Sequence, residues 1–369
     1  MPWSLLLLVL LHAAPQEEIT ARFNHALELQ KKGDLKEAEA EYRAILADAP
    51  NYAEAHSNLG AVLMRQDRYE EAVRSYETAL KLSPNLTPIL LNLGIAHYRH
   101  GEFEKAVDAL KRFLEAAPGN AQAVQLTALS LVELGRDEEA VDYLDPALQA
   151  APNDPALLYA TGLVCLRGDK PYVNGIIKSL SEVRGGLPLS HLLRGQQLLK
   201  RYEFEKAVDE LNAAVKLNPD LPRVQYSLGL CYFKLGRTKE ATAAFEAQLI
   251  QSPRDFSTLY YAAYFREESG DMADAQNKIN LALSMEPESA EANALLGKIL
   301  FKEGKAPEAV KPLETAVAKN SEDADMRYLL ARVYMQVGRK EDAAREFNTS
   351  KRLREQQLER DREKTAKPD

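Results

Sequence analysis

The chain has 369 residues, 46% of them hydrophobic and 28% charged, which is the balance of a soluble folded protein. Its formal net charge of −8 argues against a nucleic-acid binder, whose phosphate contacts would need a basic face. Its two cysteines, Cys165 and Cys231, form neither a disulfide framework nor a CxxC motif, and are expected to be free, buried thiols.

The first segment, residues 1–15, reads "MPWSLLLLVLLHAAP". An apolar run from Leu5 to Leu11 leads into Ala13-Ala14, small residues of the kind a signal peptidase accepts. The run is far short of the ~20 residues of a membrane span, so no membrane span is expected in the mature chain. An export signal is the first reading, with a periplasmic or secreted destination. No Lys or Arg precedes the run, so a start-site artefact or a segment that is not cleaved stays open, with a cytoplasmic location.

From residue 19 onward the chain repeats. Prolines fall at Pro50, Pro84, Pro118 and Pro152, each 34 residues after the last, and again at Pro219, Pro253 and Pro287. That spacing lays out ten units, beginning near residues 19, 53, 87, 121, 155, 188, 222, 256, 290 and 324. The eighth position of each unit is small: Ala26, Gly60, Gly94, Ala128, Gly162, Gly195, Gly229, Ala263, Gly297 and Ala331. Twelve residues later alanine recurs, from Ala38 and Ala72 to Ala343, broken at Asn174 alone, and four beyond that sit bulky residues such as Tyr42, Tyr76 and Leu110. Each unit reads as two amphipathic helices joined by a short turn, often glycine-bearing, with proline closing the second helix. A single pair cannot bury its apolar stripe, so the units must stack on one another. The expected class is an all-α solenoid.

These columns resemble the tetratricopeptide repeat (TPR) family, whose unit is a helix–turn–helix of the same length with small, Ala and Pro landmarks. The resemblance covers residues 19 to about 354 and implies a right-handed superhelix whose first helices line a concave, partner-binding groove. It departs from the family at the early aromatic slot, where Arg22, His56 and Leu90 begin a mostly non-aromatic column. The organisation expected is a leader over 1–15, repeats 1–4 over 19–152, an irregular repeat 5 over 155–187, repeats 6–10 over 188–350, and a polar capping helix and tail over 351–369. Repeat 5 is one residue short, lacks the Ala landmark and carries Gly185-Gly186; it is either a degenerate unit or a hinge.

The chain contains no phosphate-binding loop, GxSxG, HExxH or SxxK motif, and ten repeats leave no length for a second, catalytic fold. No enzyme activity, no cofactor and no metal site is therefore expected. His97 and His100 sit near one another, but a metal would need a third ligand; His97 occupies a slot that is apolar in most other units and reads as a packed histidine. Acid pairs such as Glu70-Glu71 and Glu138-Glu139 open second helices, where the helix dipole favours them. Asn85-Leu86-Thr87 and Asn348-Thr349-Ser350 match the glycosylation triplet, a match common by chance.

Two columns on the first helices remain as candidate peptide-binding residues. Asn24, Asn58 and Asn92 occupy the sixth position of units 1–3, and the column stops at Leu126. It resembles the asparagine ladder of O-linked N-acetylglucosamine transferases, in which side-chain amides bind an extended peptide backbone. The other reading is family habit or local helix bonding. One residue earlier stand Tyr159, Tyr226, Tyr260 and Tyr328, thickened by Tyr264; they suit peptide or sugar contact, or packing between adjacent first helices. The function expected is a non-enzymatic scaffold that binds protein or peptide partners. The alternative is a carbohydrate-associated cell-envelope protein supporting polymer export or outer-membrane assembly. Oligomeric state and partner identity are not encoded in any of these features.

Overall fold

The computed structural model describes residues 16–84 and 86–366, so the leader and Asn85, the first residue of a glycosylation triplet, lie outside the described residues. Twenty α-helices and no strand are found among the described residues. The chain divides into two compact units, residues 1–193 and 194–369, with the division inside α11 (Leu187–Lys200).

The first unit holds five helix pairs in chain order: α1 (Gln16–Lys32) with α2 (Leu35–Asp48), α3 (Ala53–Met64) with α4 (Tyr69–Leu82), α5 (Thr87–His100) with α6 (Phe103–Ala116), α7 (Ala121–Glu133) with α8 (Asp137–Ala150), and α9 (Pro155–Arg167) with α10 (Val173–Glu182). The second unit continues the pattern after α11: α12 (Phe204–Leu217), α13 (Val224–Lys234), α14 (Thr238–Gln251), α15 (Phe256–Ser269), α16 (Met272–Met285), α17 (Ala290–Lys302), α18 (Ala306–Lys319), α19 (Ala324–Gln336) and the long α20 (Lys340–Ala366). Within each unit every helix packs on the next in sequence, so each is a stack of helix pairs, an α-solenoid.

The small column sets the spacing within each pair. A Cβ added at Gly94 would lie 2.5 Å from Leu110 Cγ, and one added at Gly229 would lie 2.7 Å from the Phe245 ring. The eighth and twenty-fourth positions of a repeat therefore share one space: a bulky residue on the second helix fills what the small residue on the first leaves. Leu110 and Phe245 are fully buried as a result.

The turn inside each pair needs a left-handed residue. Glycine supplies it at Gly33, Gly101, Gly135, Gly236, Gly270, Gly304 and Gly338, whereas Asp67, Asp169 and Tyr202 take the same conformation in repeats 2, 5 and 6. Asp tolerates this backbone, but Tyr202, at φ 61°, has no such excuse.

Repeat 5 has a shortened second helix, α10, which ends before the left-handed Gly185. Its irregularity follows from lost landmarks: Asn174 stands where alanine would let the two helices approach. α20 runs well beyond the length of other second helices, and Leu358 in its extension is exposed.

Ion pairs tie second helices to their neighbours. Arg43 on α2 reaches Glu71 on α4 at 3.0 Å, and Lys111 on α6 reaches Glu139 on α8 at 3.4 Å. Between those two steps Lys105 of α6 is held more strongly protonated chiefly by its hydrogen bond to Glu102, and Glu77 on α4 adds a weaker electrostatic attraction. Among the described residues no helix is long and apolar enough to cross a membrane.

Candidate interaction surface

At about 3.6 residues per turn, the second, fifth, sixth, ninth, twelfth and thirteenth residues of a repeat share one face of its first helix. The seventh and eleventh lie on the opposite face. On α5 the first set includes Asn92, Ile95, Tyr98 and Arg99; the second is Leu93 and His97.

In repeats 1–3 and 5 this face carries a strip of apolar residues that are only partly covered, whereas the equivalent Leu129 and Val132 of repeat 4 are buried. Leu27, Ala61, Ile95 and Leu163 at the ninth position, and Met64, Tyr98 and Leu166 at the twelfth, are all half-buried. The asparagine column runs along its edge. Asn24 is exposed, while Asn58 and Asn92 are half-buried. Their amides are not equivalent: Asn58 Nδ2 donates to the Glu54 carbonyl at 2.8 Å, a bond inside its own helix. Neither the Asn24 nor the Asn92 side chain makes a hydrogen bond among the described residues. The strip itself escaped the sequence reading, although its signal was present: Leu27, Ile95 and Leu163 follow the fifth and sixth positions at helical spacing.

Tyr159 has to be taken off the surface. It is 3% exposed, and α9 lies closer to α7 than first helices do elsewhere, so the space a ring could use at this position is closed. It is a core residue and offers nothing to a partner.

The tyrosines of the second unit lie differently. Tyr226, Tyr260 and Tyr264 are half-buried and belong, with Phe233 and Tyr261, to a network of rings over the buried Phe245 and Phe265. Tyr261 stacks on Phe245 at 5.1 Å with the planes 7° apart, and Phe233 meets Tyr264 at 5.8 Å. Arg223 sits 4.5 Å from the centre of the Tyr226 ring, and burial pushes that phenol up to about 12, so it stays a neutral donor. Tyr328 is 42% exposed and rests on Phe347, with Arg354 over its face at 5.1 Å. The rings thus pack between helices, as one of the two readings expected, and part of their surface stays exposed.

A charge cluster adjoins the rings. The Glu267 side chain is fully buried, with Lys298 Nζ 2.8 Å from Oε2 and Lys302 Nζ 2.5 Å from Oε1. Glu268 adds a third contact, 3.0 Å from Lys298, whose ammonium lies 5.8 Å from the Tyr264 ring centre. Burial works against the Lys298 charge, but the hydrogen bonds it donates to Glu267 and Glu268 outweigh it and hold the lysine above its ordinary pKa. The sequence gives no hint of a buried carboxylate here, because the equivalent residues Phe233 and Phe301 are apolar.

The expectations for the cysteines and for His97 are met. Cys165 and Cys231 are free and buried, and burial pushes the Cys231 thiol up to about 12, far from a reactive thiolate. His97 is packed, at 3% exposure. Among the described residues no cluster of three metal-ligating side chains occurs.

Known proteins match this arrangement piecewise. The model of the middle TPR-like domain of cilia and flagella-associated protein 70 matches residues 23–167, a TPR repeat model matches 195–236, and the model of subunit 3 of the anaphase-promoting complex, cyclosome, matches 268–349. The chain is a TPR protein. Its fold is similar to that of the APC/C hetero-tetramer Cut9–Hcn1, at a TM-score of 0.57 and 15% identity, over 91% of this chain and 80% of that one. A MamA double mutant matches at a TM-score of 0.43 and 20% identity, over 47% of this TPR chain and 97% of the other. No curated protein is a significant match. TPR solenoids are generally non-enzymatic scaffolds, and the fold supports a protein-binding role for this TPR protein.

Proposed function

We propose that this TPR protein is a non-enzymatic scaffold that captures a protein or peptide segment along the exposed face of its first helices. The observation that carries this reading is the half-covered apolar strip of repeats 1–3, bordered by Asn24 and Asn92 with their amides uncommitted. Contiguous apolar surface rimmed by polar groups marks interaction sites on soluble proteins. An amide offers both a donor and an acceptor, so a segment lying on the strip can pair its backbone with the column whatever its sequence. Asn58 joins the column by exchanging its helix-internal bond for one to the ligand. The rings of the second unit add a second, independent contact surface with polar tips. The leader reading places this scaffold in an exported compartment, a point that the N-terminal residue of the mature protein, measured by mass spectrometry, decides.

The test is to change Asn24, Asn58 and Asn92 together to Ala and to measure capture of partners from the native compartment beside a thermal melt. Partner capture should fall while the melt stays within a few degrees of the parent. If the melt collapses, the asparagines are structural, and if capture is unchanged, the strip works without them.

A further inference from the structure

Two equivalent grooves lie on the other side of the first helices in the first unit, each between successive second helices. One, of about 490 Å³, lies between α2 and α4 with α3 as its floor; the next, of about 450 Å³, lies between α4 and α6 with α5 as its floor. Because they are the same place in consecutive repeats, each is a control for the other.

The first groove is chemically closed. Its floor is Leu59 and Leu63, and its charged groups are already paired: Arg43 with Glu71 at 3.0 Å and Arg74 with Glu70 at 2.7 Å. The one imidazole lining it, His56, has its Nε2 2.9 Å from the Pro50 carbonyl oxygen.

The second groove differs at its floor. His97 takes the place of Leu63, and is 3% exposed. Its Nδ1–H donates to Glu102 Oε2 at 2.7 Å, and His100 Nδ1 lies 3.5 Å from the same oxygen. Glu102 can only accept: burial alone would push its carboxyl up, but hydrogen bonds from Lys105 and His97 hold it at about 2. The carboxylate therefore fixes the proton on Nδ1, and in the neutral ring Nε2 carries the lone pair. Nε2 has no hydrogen-bond partner among the described residues. The atom is not fully enclosed, and His97 is part of the groove lining.

We propose that the α4–α6 groove is a second binding site, in which a tyrosine side chain of a partner donates its phenolic hydrogen to His97 Nε2. An acceptor at the floor calls for a donor. The rim selects neither charge: Lys81 and Arg112 are balanced by Glu77 and Asp108, and Lys105 is held by Glu102. Leu80, Leu93 and Ala109 supply aliphatic wall for a ring beside the acceptor. A phenol meets all three conditions, with an apolar body and a polar tip. The site is independent of the first-helix strip and stands or falls separately from it.

The experiment uses the full chain with 15N-labelled histidine and three probes: N-acetyl-tyrosinamide, N-acetyl-phenylalaninamide and N-acetyl-tryptophanamide. The ring 15N shifts first report which nitrogen of His97 is bare at the working pH. The tyrosine probe should then move the His97 Nε2 resonance saturably, with the phenylalanine probe about fivefold weaker, the loss expected for one hydrogen bond. His97→Leu, which copies Leu63, should abolish the difference between the two probes. Equal binding of the tyrosine and phenylalanine probes, tighter binding of the tryptophan probe, a bare Nδ1, or no saturable shift would each overturn the proposal. If His97→Leu does not fold, the resonance of the unaltered protein decides alone.

Discussion

Removing the lysines around Glu267 should cost far more than removing Glu267 itself. The carboxylate side chain has no exposure, whereas Lys298 and Lys302 keep 35% and 44% of theirs. Changing both lysines to Met strands an ionised group where water cannot reach it, and breaking a buried pair in this direction costs about 3–5 kcal/mol. The lower end applies, because the lysines are themselves partly hydrated. Changing Glu267 to Leu does the reverse. It puts an apolar side chain in a column that already holds Phe233 and Phe301, and leaves two lysines free to turn to water, with Glu268 still beside Lys298. That substitution should be neutral or mildly stabilising. Urea melts of the three proteins, followed by helical circular dichroism, give the comparison, read as midpoints because a repeat array need not unfold in one step. A double-lysine variant as stable as the parent, or a Glu267→Leu variant that loses as much as the double variant, would refute the reasoning.

Two further outcomes follow from the turns. Tyr202→Gly should stabilise the protein by up to about 1 kcal/mol, since a left-handed tyrosine costs ~1–2 kcal/mol and glycine entropy returns part of that. Tyr202 is 79% exposed, so little packing is lost apart from an edge contact with Phe204, and a drop in the melting midpoint would contradict the strain. Glu102 titrates at about 2 against an ordinary 4.5, so its contribution is present above pH 4.5 and is lost as pH falls through about 2. The parent should therefore lose stability more steeply than Glu102→Gln across that window, as measured by melts at stepped pH; parallel curves would mean the carboxylate contributes nothing.

Much of the fold was legible because it rests on size at fixed spacing. A Gly or Ala at the eighth position and a bulky residue at the twenty-fourth are two halves of one contact, and both can be read as letters. The turns were legible for the same reason where glycine marks them, and less so at Asp67, Asp169 and Tyr202. The binding face was only half legible. The asparagine and tyrosine columns share one helix face, but how far each residue is covered depends on how close the neighbouring repeat comes. Tyr159 shows the consequence, since the close approach of α9 to α7 buries a ring that its column alone would leave open. Glu267 is the opposite case. A carboxylate in an apolar column reads as surface until Lys298 and Lys302, two letters of the next repeat, are seen to enclose it. His97 was legible as packed, while the orientation of its Nε2 was not, because that depends on Glu102 across the turn.

The bridges between second helices have a consequence for how this molecule could grow or shrink. Arg43 meets Glu71, Lys111 meets Glu139, and at the equivalent positions between them Glu77 and Lys105 line one groove, so the sign of the junction reverses at every step. Excising repeat 3 alone would set Glu77 against Glu139, and excising repeat 2 alone would set Arg43 against Lys105. Excising both together would restore an opposite pair, Arg43 with Glu139. The steric module is one repeat long, but the electrostatic module is two, and duplications or deletions by pairs are the ones these junctions accept.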